Sequence, residues 1–61
     1  MRLDLTAREV ALMAALLDAA HRQRLHELHH TDSRDYRERL RHEVEIIEDL
    51  AARLAAEPVT P

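Results

Sequence analysis

Apolar residues recur every three or four positions through two long stretches of the chain, and a short polar cluster separates them. In the first stretch Val10, Met13, Ala14, Leu17, Leu25 and Leu28 fall on one face when successive residues are set about 100° apart, and His21 and Arg24 lie in the same stripe. In the second, Tyr36, Leu40, Val44, Ile47, Leu50, Ala51 and Leu54 share a face that also holds Glu43. This is the period of an amphipathic α-helix, with no sustained alternation of the kind a half-buried strand shows. The pattern therefore predicts two helices.

Their ends are marked by capping chemistry. Thr6-Ala7-Arg8-Glu9 has the capping-box form, in which a threonine hydroxyl and a glutamate carboxylate each satisfy a backbone donor of the other, and Leu5 and Val10 stand where a hydrophobic staple forms. Helix 1 is expected over about 7–30, with His29 and His30 at the negative end of its dipole. The cluster Thr31-Asp32-Ser33 predicts a turn over 31–33, with Ser33, or second to it Asp32, capping helix 2 and Asp35 in its first turn. With no glycine in the chain, a left-handed residue at this turn would fall to His30, Thr31 or Asp32, of which Asp32 tolerates that conformation best. Helix 2 is expected over about 34–56, followed by a frayed tail over 57–61 bounded by Pro58 and Pro61.

The fold class that follows is all-α, an antiparallel two-helix hairpin with helices about 35 Å long. Folding about Asp32 sets Leu28 against Tyr36, Leu25 against Leu40, Leu17 against Ile47 and Val10 against Leu54. His21 then meets Glu43, with Arg24 one turn away, so these three are expected to form a buried polar layer. Charged residues elsewhere read as a solvated face of i,i+4 pairs, Arg39 with Glu43, Arg41 with Glu45 and Asp49 with Arg53. Apolar surface is left over. Leu12 and Leu16 widen the stripe of helix 1, and Ile46 and Leu50 that of helix 2, beyond what one partner helix covers. The expected solution is a homodimer that closes a four-helix bundle through Leu12, Leu16, Ile46 and Leu50.

Composition sharpens this picture. A chain of 61 residues buries only about 60% of its unfolded surface, so its stability is marginal without a further support. Cysteine is absent, which removes disulfides, thiolate metal sites and thiol nucleophiles; glycine is absent, which removes glycine-dependent phosphate loops. A net charge of −3 argues against a phosphate-binding surface, although all nine basic residues are arginine. The apolar run from Val10 to Leu17 is too short for a membrane span, and acidic Asp4 and Glu9 do not suit a signal peptide, so a cytoplasmic location without membrane partners is expected.

Candidate chemistry is sparse. His21 and Glu43 from two copies would supply two imidazoles and two carboxylates, but Arg24 would set a positive charge beside any metal, and a register device is the simpler role for the layer. His26 and His30 share a helical face at i,i+4, and Glu27-x-x-His30 has the spacing of a di-iron half-site, without further ligands nearby in sequence. Ser33 is the sole serine and sits at the turn, and Tyr36 is expected to pack over Leu25 and Leu28. Neither catalysis nor a bound cofactor or metal is expected.

The pattern Leu5-Thr6-x-x-Glu9, then Leu16-Leu17, then Thr31-Asp32-Ser33-Arg34-Asp35-Tyr36-Arg37 before a Leu/Glu-rich second helix resembles a group of short uncharacterised bacterial proteins over about residues 5–54. The chain departs from that group at His21 and Arg24, where aliphatic residues are expected. The resemblance implies a helical hairpin and carries no activity. The functional expectation is a homo-oligomeric interaction or scaffold module whose partner is itself or another helical protein. Two alternatives come from other classes. One is RNA binding across the bundle by Arg22, Arg37 and Arg41, by analogy of fold with the plasmid copy-number regulator hairpin; the other is metal binding through His26, His30 or His21.

Overall fold

A computed structural model describes residues 4–57, 59 and 60. Strand β1 (Leu5–Thr6) leads into helix α1 (Ala7–His30), and helix α2 (Arg34–Ala55) is followed by strand β2 (Val59–Thr60). The chain is an all-α hairpin with the turn at 31–33, and both helices pack along their length.

Each helix begins where a side chain replaces missing backbone partners. Thr6, with φ −77° and ψ 165°, accepts from the Glu9 amide at 3.1 Å, while the Thr6 amide donates to Glu9 Oε1 at 2.8 Å. Two amides that no helical carbonyl can reach are thereby satisfied. Ser33 caps α2, its Oγ accepting from the Tyr36 amide at 3.3 Å and its carbonyl from the Arg37 amide at 3.0 Å. Helix α2 ends one residue earlier than expected. The Ala56 amide divides between the carbonyls of Ala52 and Arg53, both at 3.2 Å, which tightens the last turn.

The turn is built differently from the sequence expectation. No described residue has positive φ, so Asp32 is not left-handed; Thr31 instead leaves α1 in an extended conformation, φ −100° and ψ 140°. Its side chain and carbonyl then become acceptors. Thr31 Oγ1 accepts from the Ser33 amide at 3.3 Å, and Arg37 Nη2 donates to the Thr31 carbonyl at 2.9 Å. An extended exit with side-chain support replaces the left-handed cap that glycine would provide.

The tail also differs. Val59 and Thr60 pair in parallel with Leu5 and Thr6, in the register Leu5 to Val59 and Thr6 to Thr60, so these two residues are held against the start of α1 rather than frayed. Glu57 is tied back as well, its amide donating to the Leu54 carbonyl at 3.1 Å, while Pro58 and Pro61 lie outside the described residues.

The core is narrow. Leu40, Val44, Ile47 and Leu54 are buried, Leu40 to 2% exposure, and all four belong to α2. No α1 residue is buried; Val10, Leu17, Leu25 and Leu28 are half-buried, while Met13 and Ala14 of the expected stripe are exposed. Polar residues in the α1 seam, His21 and Arg24, leave the aliphatic side chains of α2 to fill the groove between the helices. The molecule measures 46 × 19 × 10 Å, one helix thick. Its Cα radius of gyration of 13.9 Å exceeds the about 10.5 Å of a compact chain of this length. A stable domain ordinarily has two packed layers; this hairpin is one.

Candidate interaction face

Two helices side by side present two broad faces, and ion pairs identify which residues share each. Advancing about 100° per residue along antiparallel helices puts Arg24, Glu27, Tyr36 and Glu43 on one face and His21 and Glu48 on the other. The contacts agree. Arg24 Nε donates to Glu43 Oε1 at 2.9 Å, the Tyr36 hydroxyl donates to Glu27 Oε2, and His21 Nε2 lies 3.0 Å from Glu48 Oε2.

The same construction assigns Leu12, Leu16, Ile46 and Leu50 to the face that carries Arg24 and Glu43. They are 62%, 61%, 47% and 43% exposed, respectively. They cluster in the half of the hairpin away from the turn; the half nearer the turn holds an open polar hollow of about 110 Å³ beside Arg24, Glu27, Tyr36 and Glu43. One face is thus divided into an aliphatic half and a polar half. Among the described residues, the opposite face, with His21, Glu48, Ala51 and Ala55, has no comparable group of exposed large aliphatic side chains.

The polar layer expected from the sequence is rearranged and is not buried in the hairpin. Glu43 pairs with Arg24 rather than His21, and His21 pairs with Glu48. The Arg24 and Glu43 side chains are 32% and 40% exposed, so each keeps a flank in water. Pairing by counting residues about the turn treats side chains as spokes of equal length. The arginine side chain spans about a helical turn, and a histidine on the other flank meets what lies on that flank. Glu48 was recoverable from the helical wheel, because it shares the His21 side of the seam. Arg39, expected beside Glu43, yields that carboxylate to Arg24, while Asp49 and Arg53 pair as expected at 2.8 Å.

Tyr36 packs at the edge of the polar hollow, with its hydroxyl on Glu27. That hydrogen bond raises the phenol above its ordinary value, and desolvation and the negative charge of Glu27 act in the same direction.

The residues named for other chemistries are placed as follows. The His26 and His30 rings touch, with centroids 4.3 Å apart and planes tilted by 43°. Among the described residues no three or more His, Cys, Asp or Glu side chains gather in a group able to hold a metal ion. Arg22 pairs with Asp18 at 3.2 Å, Arg37 holds the Thr31 carbonyl, and Arg41 is exposed. No described helix is long and apolar enough to cross a membrane. No protein-family model matches the chain, and no match arises among curated proteins or solved structures.

Proposed function

We propose that this chain is a non-enzymatic interaction module of the cytoplasm that acts as a homodimer, two hairpins closing a four-helix bundle over Leu12, Leu16, Ile46 and Leu50. The supporting observation is surface area. The chain exposes 5085 Å², against about 4,100 Å² for a compact monomer of 7.1 kDa. The surplus of roughly 1,000 Å² is comparable to the about 800 Å² that each partner contributes to a standard interface. Four large aliphatic side chains grouped on one face supply the apolar centre that such an interface uses. Ser33 and Tyr36 are engaged in structure, Ser33 as a cap and Tyr36 on Glu27.

Sedimentation equilibrium at micromolar concentration tests the reading. A mass near twice 7.1 kDa is expected. A monomeric mass across the micromolar range overturns it.

A further inference from the structure

We infer that the two hairpins of this dimer stand with their turns at the same end, so that each α1 lies across the partner's α2. The inference rests on the dimer proposed above and concerns which of two twofold arrangements it takes. Helix dipoles do not choose between them, because every neighbouring helix pair is antiparallel in both. The side chains along the exposed face do.

On α1 that face carries, from the open end toward the turn, Glu9, Leu12, Leu16 and Glu27. On α2 it carries, in the same direction, Arg53, Leu50, Ile46 and Arg39. The cross-helix contacts Tyr36 to Glu27 and Arg24 to Glu43 fix the relative heights, so Glu27 stands near the level of Arg39 and Glu9 near that of Arg53. Each helix thus shows charge, two aliphatics, then charge; the outermost charges are acidic on α1 and basic on α2, while Arg24 and Glu43 on the same face lie between the aliphatics and the turn-side charges.

With a twofold axis along the helices, α1 faces the partner's α2 at equal height. Leu12 then meets the partner's Leu50, Leu16 meets the partner's Ile46, and Glu9 and Glu27 meet the partner's Arg53 and Arg39. Arg24 faces the partner's Glu43, so each charge of the half-exposed pair gains a second neighbour of opposite sign, which offsets its loss of water. With the axis across the helices, α1 faces the partner's α1. Full overlap then sets Glu9 against the partner's Glu27 and Arg39 against the partner's Arg53, like charge on like, and sets Leu12 and Leu50 over the partner's Arg24 and the partner's His42. Sliding the hairpins until the leucines meet leaves the turn half of each face uncovered. The same-end arrangement alone covers the whole face with matched chemistry.

The chain contains no cysteine, so Asp32→Cys introduces a single labelling site at the turn. The two turns would then stand about one helix spacing, roughly 10 Å, apart, so paired spin labels there should lie within about 20 Å of each other. Turns at opposite ends would instead give a separation approaching the 46 Å length of the hairpin. That longer distance in a species of dimeric mass overturns the arrangement and leaves the dimer standing; a monomeric mass overturns the dimer itself. Charge reversal supplies a second readout. Arg39→Glu should weaken dimerisation about tenfold, and adding Glu27→Arg should restore it. Tighter dimerisation of the Arg39→Glu variant would show that Arg39 faces the partner's Arg53 and would overturn the inference.

Discussion

Arg24 on α1 holds Glu43 on α2 at 2.9 Å while its Nη1 donates to the Ala20 carbonyl at 3.3 Å, so a single guanidinium ties the two helices together and is itself steadied by its own helix. Both partners keep a water-facing flank. In the single hairpin, at concentrations below dimerisation, the pair therefore acts as a partly solvated bridge, with a coupling of about 0.5–1 kcal/mol. A double-mutant cycle with Arg24→Ala and Glu43→Gln, followed by urea unfolding, should return that value at low salt and less in concentrated salt. A salt-insensitive coupling of several kcal/mol would contradict the half-exposed geometry.

Leu40 and Leu12 should respond differently to the same truncation. Leu40 is enclosed by the hairpin, and Leu40→Ala should cost about 3 kcal/mol, enough to unfold much of so small a domain. Leu12 touches mostly water in the single chain, so Leu12→Ala should act through association. The melting temperature of the unmodified protein should rise with protein concentration, and Leu12→Ala should displace that dependence to about tenfold higher concentration. Identical, concentration-independent losses for both variants would count against a role for Leu12 between copies.

At the turn, glycine should harm rather than help. Glycine is favoured where φ is positive, and no described residue has positive φ. Asp32→Gly would then add freedom to the unfolded chain and relieve nothing in the folded one, a loss of about 0.5–1 kcal/mol by chemical denaturation. A gain in stability would mean that the backbone at position 32 is strained.

The Tyr36 phenol should titrate above its ordinary value of about 10, followed by ultraviolet absorbance of the phenolate. Glu27→Gln should bring the midpoint down, since it removes the charged acceptor. The folded state favours the protonated phenol. Its contribution to stability is therefore complete below the ordinary value and is lost as pH rises through the raised one. A midpoint unmoved by Glu27→Gln would show that another group holds the proton.

The helix limits and caps were legible in the sequence because capping is local: Thr6, Glu9 and Ser33 act on amides two or three residues away, and spacing alone reveals them. The exposed group Leu12, Leu16, Ile46 and Leu50 was legible too, as the part of each stripe too wide for one partner helix. The ion-pair register was not. It depends on how far Arg24 reaches and on which flank His21 occupies, neither of which follows from residue numbering. The polar layer was expected to be buried because its stripe is apolar on either side. A seam between only two helices has open flanks, and a residue one step off its centre meets water. The β1 and β2 pairing left no signal, since two-residue strands are too short for alternation to register.

That short pairing gives the molecule a property of its own. Leu5 and Thr6 bond to Val59 and Thr60 at the end farthest from the turn, so the backbone forms a closed circuit rather than an open fork. Thr6 belongs to this clasp and to the cap of α1 at once. Releasing the far end of one helix must then disturb the other, and their outermost turns should exchange amide hydrogen as one cooperative unit instead of fraying independently.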